Sequence, residues 1–189
     1  MTQPTSMNVD EYFRTLETKL PAELRFGMLH VAESPGPRHQ SAVASLFLAL
    51  DAHVRSRRMG RVWLSPLDVV LNSEHALIVQ PDLMFISTGN ENIVQDRGRG
   101  APDLIIEVLS PNARIGNVEE RVVWFARFGV RECWLVHLDR RDVTVITYAS
   151  GRIATRTVFG WRRSIASSVL PNFTLSLDDM LEPEPWTVD

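Results

Sequence analysis

The run Leu104–Leu109, LIIEVL, constrains this chain most. Five apolar residues around one acid leave no polar face, and such a run marks a central strand buried on both sides. A strand of that kind needs structure above and below it. Val43, Leu46, Phe47, Leu50 and Val54 recur at helical spacing, which predicts a helix over 39–58 with one apolar face. Residues 118–128 form a second amphipathic segment, ended by Gly129. A shorter helix is predicted over 9–20, capped by Ser6 or Asn8 and stopped by Pro21. Strands are predicted at 24–32, 62–64, 67–71, 76–79, 81–87, 131–138, 143–148, 153–158 and 173–175. Residues 139–141 form a hairpin turn, 90–100 a polar loop and 177–181 a last short helix. This order predicts an α/β (α+β) domain with a mixed β-sheet flanked by helices. Residues 1–22 read as an N-terminal helical segment, 23–182 as the domain and 183–189 as a loose tail.

Composition narrows the chemistry. At 44% hydrophobic and 23% charged, 189 residues bury a real core without staples. Cys133 is the only cysteine, which excludes an intramolecular disulfide and a multi-cysteine zinc site and favours a reducing compartment. The N-terminus has no basic and apolar leader pattern, so a cytoplasmic location is expected. No apolar run is long enough to span a bilayer. A net charge of −3 argues against coating nucleic acid in bulk, but not against a local site on it. There is no glycine-rich phosphate loop, HExxH or GxSxG. Nineteen of the twenty basic residues are Arg; the lone lysine is Lys19.

Two acids sit where packing alone would not place them. Asp82 follows Pro81 at the head of PDLMFIS, and Glu107 lies inside LIIEVL. A buried carboxylate must be paired, neutralised or bound to a cation. If the two strands are neighbours, the carboxylates meet at one sheet edge. There they could bind Mg²⁺ or Mn²⁺ with waters, and such a site acts on phosphodiesters. Asp82 also fits a turn, and Glu107 a salt bridge to an arginine.

VQPDLMFIS, APDLIIEVLSPN and VVWFARFGVRECWLV, with SPGPRHQ and SPLDVVL before them, resemble the Uma-two group of restriction endonuclease-like proteins. The resemblance runs over about 24–181 and places the chain in the PD-(D/E)XK nuclease superfamily. It implies a restriction-endonuclease-like mixed sheet and a Mg²⁺-dependent (or Mn²⁺-dependent) DNA phosphodiesterase, a hydrolase. It makes Asp82 and Glu107 the metal-binding acids, with the carbonyl of Val108 as a further ligand. A lysine that the family takes from the following helix, in K-x-x-x-Y-x-x-x-G-V, falls at Arg121, and the tyrosine at Phe125. The family's Asp-Gly-Glu in the first strand reads Phe26, Gly27, Met28 here, so an acid is missing.

Arg121 shares a helix face with Phe125 and Phe128. Arginine stays protonated, so Arg121 can stabilise phosphate charge but cannot take a proton from water. A pairing of Arg121 with Glu107, in place of the metal, is the alternative. The resemblance implies a place near the active face for His39, which equally fits a helix N-terminal contact. Arg97 and Arg99 lie in a glycine-bearing loop from which they could touch phosphates. Three readings are open: a metal-dependent DNA endonuclease with catalytic Asp82, Glu107 and Arg121; a non-catalytic DNA-binding or protein-interaction module; and an oligomerisation protein with a dry Arg121–Glu107 bridge. A homodimer is expected from the resemblance and from the two-fold symmetry of DNA.

Overall fold

The computed structural model describes residues 6–15, 20–109 and 117–181. The expected end of the first helix with Lys19, the strand stop at 110–112 and the tail at 183–189 lie outside the described residues. The elements run α1 (Val9–Arg14), β1 (Ala22–Arg25), β2 (Met28–Val31), α2 (Pro37–Ser56), β3 (Gly60–Leu64), β4 (Val69–Asn72), β5 (Leu77–Val79) and β6 (Leu83–Ser87). A 3-10 helix (Thr88–Ile93) leads to β7 (Gly98–Arg99) and β8 (Leu104–Leu109). Then come α3 (Val118–Arg127), β9 (Glu132–His137), β10 (Asp142–Ala149), β11 (Arg152–Gly160) and α4 (Leu177–Met180).

The LIIEVL strand is β8, and it lies inside a six-stranded sheet of order β11-β10-β9-β8-β6-β3. Its pairing with β9 is parallel, through α3, and its pairing with β6 is antiparallel. Both faces are covered, as the sequence requires. Leu104, Ile106 and Val108 pack with Leu46, Leu50 and Val54 of α2 and with Leu177 of α4. Ile105 packs on the other face with Val122 and Phe125 of α3. Burying each such side chain contributes about 1.5–3 kcal/mol. The long helix is entered through Gly36 and Pro37 and leaves through Gly60, where a Cβ would stand 2.1 Å from the Ile86 carbonyl oxygen.

The other strands form a second mixed sheet, β2-β1-β5-β4-β7. The fold class expected from the sequence stands, with the strands divided between two sheets. Residues 24–32 do not form one strand: β1 and β2 make a hairpin, Arg25 opposite Met28. Its two turn residues, Phe26 (φ 50°) and Gly27 (φ 83°), both adopt the left-handed region that a tight two-residue hairpin demands. Phenylalanine is an unusual occupant there, which hid the turn. Residues 173–175 are not a strand either; Phe173 is held by its ring against Trp134 and His53. α1 packs Val9 and Tyr12 against Leu24, Val70 and Ile78 of the second sheet. Among the described residues, no helix is long and apolar enough to cross a membrane.

Candidate active site

The site forms at the seam where the chain passes from β5 in one sheet to β6 in the other. Leu83 pairs with Ile106, so the register carried one residue further sets Asp82 opposite Glu107. Asp82 Oδ2 accepts a hydrogen bond from the Val108 backbone N–H at 2.7 Å, which fixes the carboxylate against β8. His39, in the first turn of α2, lies with Nε2 3.1 Å from the same oxygen. Its Nδ1 is buried without a hydrogen-bond partner among the described residues.

Glu107 faces α3, on the same side of β8 as Ile105. Asn117 caps that helix by accepting from the Glu119 N–H, and the first turn carries Arg121 inward beside Val122 and Phe125. Arg121 is only 2% exposed and Glu107 only 3%. The guanidinium donates to Glu107 Oε1 from Nη2 at 2.5 Å and from Nε at 3.2 Å. Its remaining arm, Nη1, donates to both oxygens of Glu23, at 2.9 and 2.7 Å. Arg121 therefore joins two strands in different sheets. The crevice lined by Glu107, Arg121, Phe125 and Leu135 leaves no room for a water molecule.

Glu23 is a site residue that the sequence reading missed. It lies in β1 between two buried apolar residues, Ala22 and Leu24, the same signal that singled out Glu107. It also accepts from Arg25 at 2.6 Å and from the backbone N–H of Gln80 at 2.9 Å. The first strand thus supplies an acid to the site after all, three residues before the position occupied by Phe26.

Three carboxylates, Glu23, Asp82 and Glu107, here meet three basic groups, Arg25, Arg121 and His39. Burial pushes the Glu107 carboxyl upward; the Arg121 charge opposes the rise and the Asp82 charge adds to it. For Glu23, burial also acts upward, but Arg121, Arg25 and the Gln80 N–H outweigh it and hold the group below the usual carboxylate range. Burial disfavours a charged His39, yet its bond to Asp82 and the charges of Asp82 and Glu107 raise it above the ordinary imidazole value. Burial acts against the Arg121 charge too, and Glu107 and Glu23 overcome it and raise its value.

The structure thus brings together Asp82, Glu107, Val108, Arg121 and His39. It does not join Arg97 and Arg99 to them: both pair with Asp96, at 3.0 and 3.7 Å, and Arg97 stacks 3.5 Å over the Phe13 ring. The donor set suits a divalent ion in kind, since two carboxylates and the Val108 carbonyl are the hard oxygens that Mg²⁺ and Mn²⁺ take. Among the described residues no cluster of three or more His, Cys, Asp and Glu is arranged to hold a metal. Arg121 instead engages Glu107.

A family model described as "Putative restriction endonuclease", Uma2, matches residues 9–178. A solved structure described as "a putative nuclease belonging to DUF820 from Anabaena variabilis ATCC 29413" is similar in fold. It superposes with a TM-score of 0.77 over 92% of this chain and 97% of that one, at 20% sequence identity. No curated protein matches the chain.

Proposed function

The chain belongs to the Uma2 family, and from that membership we propose that it is a DNA endonuclease with a weakened, divalent-metal-dependent centre. The observation that carries the reading is the β6–β8 register, which sets Asp82 opposite Glu107 from positions 25 residues apart. Asp82 and Glu107 would hold Mg²⁺ or Mn²⁺, with the Val108 carbonyl as a third oxygen. The ion, when bound, would neutralise phosphate charge and lower the pKa of a water. The protein's own groups do the rest. The Val108 N–H orients Asp82 by binding its Oδ2, and His39 holds a proton at Nε2 toward the same oxygen. Arg121 offers positive charge to a phosphate but keeps its protons, so it cannot activate water. Its hold on Glu107 also has to be given up to any incoming ion. Both effects act to slow the reaction.

A second reading is favoured by one specific observation: Arg121 already satisfies Glu107 and Glu23 in a crevice too tight for water. That is the dry Arg121–Glu107 bridge expected of an oligomerisation protein, and a non-catalytic binding module on the nuclease fold is compatible with it as well. Supercoiled plasmid incubated with Mg²⁺ or Mn²⁺ separates the two. The endonuclease nicks it slowly, and Asp82→Asn does not; absence of cleavage by the unaltered chain refutes the proposal and leaves the binding module. The proposal includes a cytoplasmic homodimer, so light scattering is expected to return twice the chain mass of 21.4 kDa.

A further inference from the structure

Six of the nineteen arginines fall within residues 140–163, against a single acid, Asp142, in a chain whose net charge is −3. These residues are β10, β11 and their flanks, at the edge of the six-stranded sheet. The cluster has a definite place relative to the site. Leu109 pairs with His137, His137 with Asp142, and Asp142 with Gly160, so these four residues form one row across the sheet. Glu107 lies two residues before Leu109 in β8, with Asp82 opposite it, so both carboxylates lie near this end of the sheet. Arg140 and Arg141 immediately precede β10 in the β9–β10 turn, and Arg162 and Arg163 come just after β11, so all four gather on the same rim. Three strand spacings of about 4.8 Å separate β8 from β11, about 14 Å in all. That is the rise of about four base pairs at 3.4 Å each.

The acids of this rim are already engaged. Asp139 pairs with Arg38, Asp142 with Arg140 at 3.1 Å, and Asp178 with Arg162 at 3.4 Å. Arg141 and Arg163 are exposed and make no ion pair among the described residues. Their guanidiniums stack on aromatic rings, Arg141 at 4.5 Å over Trp161 and Arg163 at 5.1 Å over Phe159. Stacking holds the planar forks extended while leaving their N–H edges free, the geometry suited to phosphate oxygens. Arg141 also occupies a left-handed turn position, φ 55°, that glycine or asparagine would fill more easily.

We propose that this arginine rim, centred on Arg141 and Arg163, binds the phosphate backbone of duplex DNA and lays it across the end of the sheet toward Asp82 and Glu107. The proposal rests on the nuclease reading for the purpose of that binding, but not for the binding itself. Backbone neutralisation carries no base information, so the contribution is independent of sequence and falls with salt.

The test is fluorescence anisotropy of a labelled duplex with the full chain in EDTA, where no cleavage occurs, at several salt concentrations. Arg141→Asn/Arg163→Ser is compared with Arg57→Ser/Arg58→Ser, which removes equal charge at the opposite end of α2. The rim variant is expected to lose on the order of 10- to 100-fold in affinity, with the salt slope reduced by about 2, while the α2 variant stays within about threefold. Arg141→Lys/Arg163→Lys keeps the charge and recovers most of the binding. Equal binding by the rim variant and the unaltered chain overturns the inference and leaves the nuclease reading intact. So does an equal loss in the α2 variant. Binding through the rim without cleavage in Mg²⁺ or Mn²⁺ supports the inference and refutes the nuclease reading. No binding of DNA by the unaltered chain overturns the inference, as does capture of an acidic protein in its place, while cleavage in Mg²⁺ or Mn²⁺ decides the nuclease reading separately.

Discussion

Replacing Arg121 by methionine removes a charge but little volume, and the contacts around the guanidinium set the cost. Four N–H···O contacts of 2.5 to 3.2 Å disappear, and Glu23 and Glu107 are left facing each other in a protein interior. Glu23 retains Arg25 and the Gln80 N–H, but Glu107 loses its cation. Breaking a buried ion pair from one side costs about 3–5 kcal/mol, because the remaining charge has neither water nor a partner. For a chain of this size each kcal/mol moves the midpoint by about 2–4 °C, so Tm is expected to fall by about 6–20 °C. Urea unfolding followed by circular dichroism measures the loss directly. The double variant Arg121→Met/Glu107→Gln is expected to recover at least about 1 kcal/mol, since the stranded charge is gone. A loss under about 1 kcal/mol for Arg121→Met, or strict additivity in the double variant, would refute the bridging role assigned to Arg121.

Other sites give separate expectations. Glu132 is fully buried and accepts from Trp134 Nε1, both Ser167 and Ser168 hydroxyls, and the Ser168 N–H. Glu132→Ala orphans these donors and is expected to cost about 3 kcal/mol in urea unfolding, with faster proteolysis around 163–170; a loss within 0.5 kcal/mol, roughly that of a surface change, contradicts this. Burial works against ionised Asp103, but the Ser87 N–H, Arg131 and Asn90 outweigh it and hold the group below the usual carboxylate range. Its stabilising contribution is therefore present above the unfolded value and lost as pH falls through the folded one. The stability gap between the unaltered chain and Asp103→Asn should narrow as pH falls below the ordinary carboxylate range, and a gap constant with pH would argue the opposite.

Much of this fold is readable from local pattern. The β8 bounds coincide with the LIIEVL run, because a strand buried on both faces carries no polar interruption until it ends. The α2 and α3 helices are visible from their apolar faces for a similar reason. The β1–β2 hairpin is not, because Phe26 takes a conformation that usually signals glycine or asparagine. Glu107 stands out as an acid inside an apolar strand and Asp82 as one at the head of another, and their meeting depends only on β6 and β8 being neighbours. The Arg121–Glu23 bridge is beyond the reach of local pattern: it joins residues 98 positions apart across two sheets, and spacing within α3 shows only that Arg121 faces inward. The lysine of the family pattern falls on Arg121 in this chain, and Lys19 lies outside the described residues.

Titration of the full chain with Mn²⁺ by isothermal calorimetry bears most directly on whether this seam is a nuclease centre. Saturable binding that is lost in Asp82→Asn, a change that keeps an acceptor for the Val108 N–H, is the predicted result. No binding heat from the unaltered chain, or equal binding by Asp82→Asn, would contradict it.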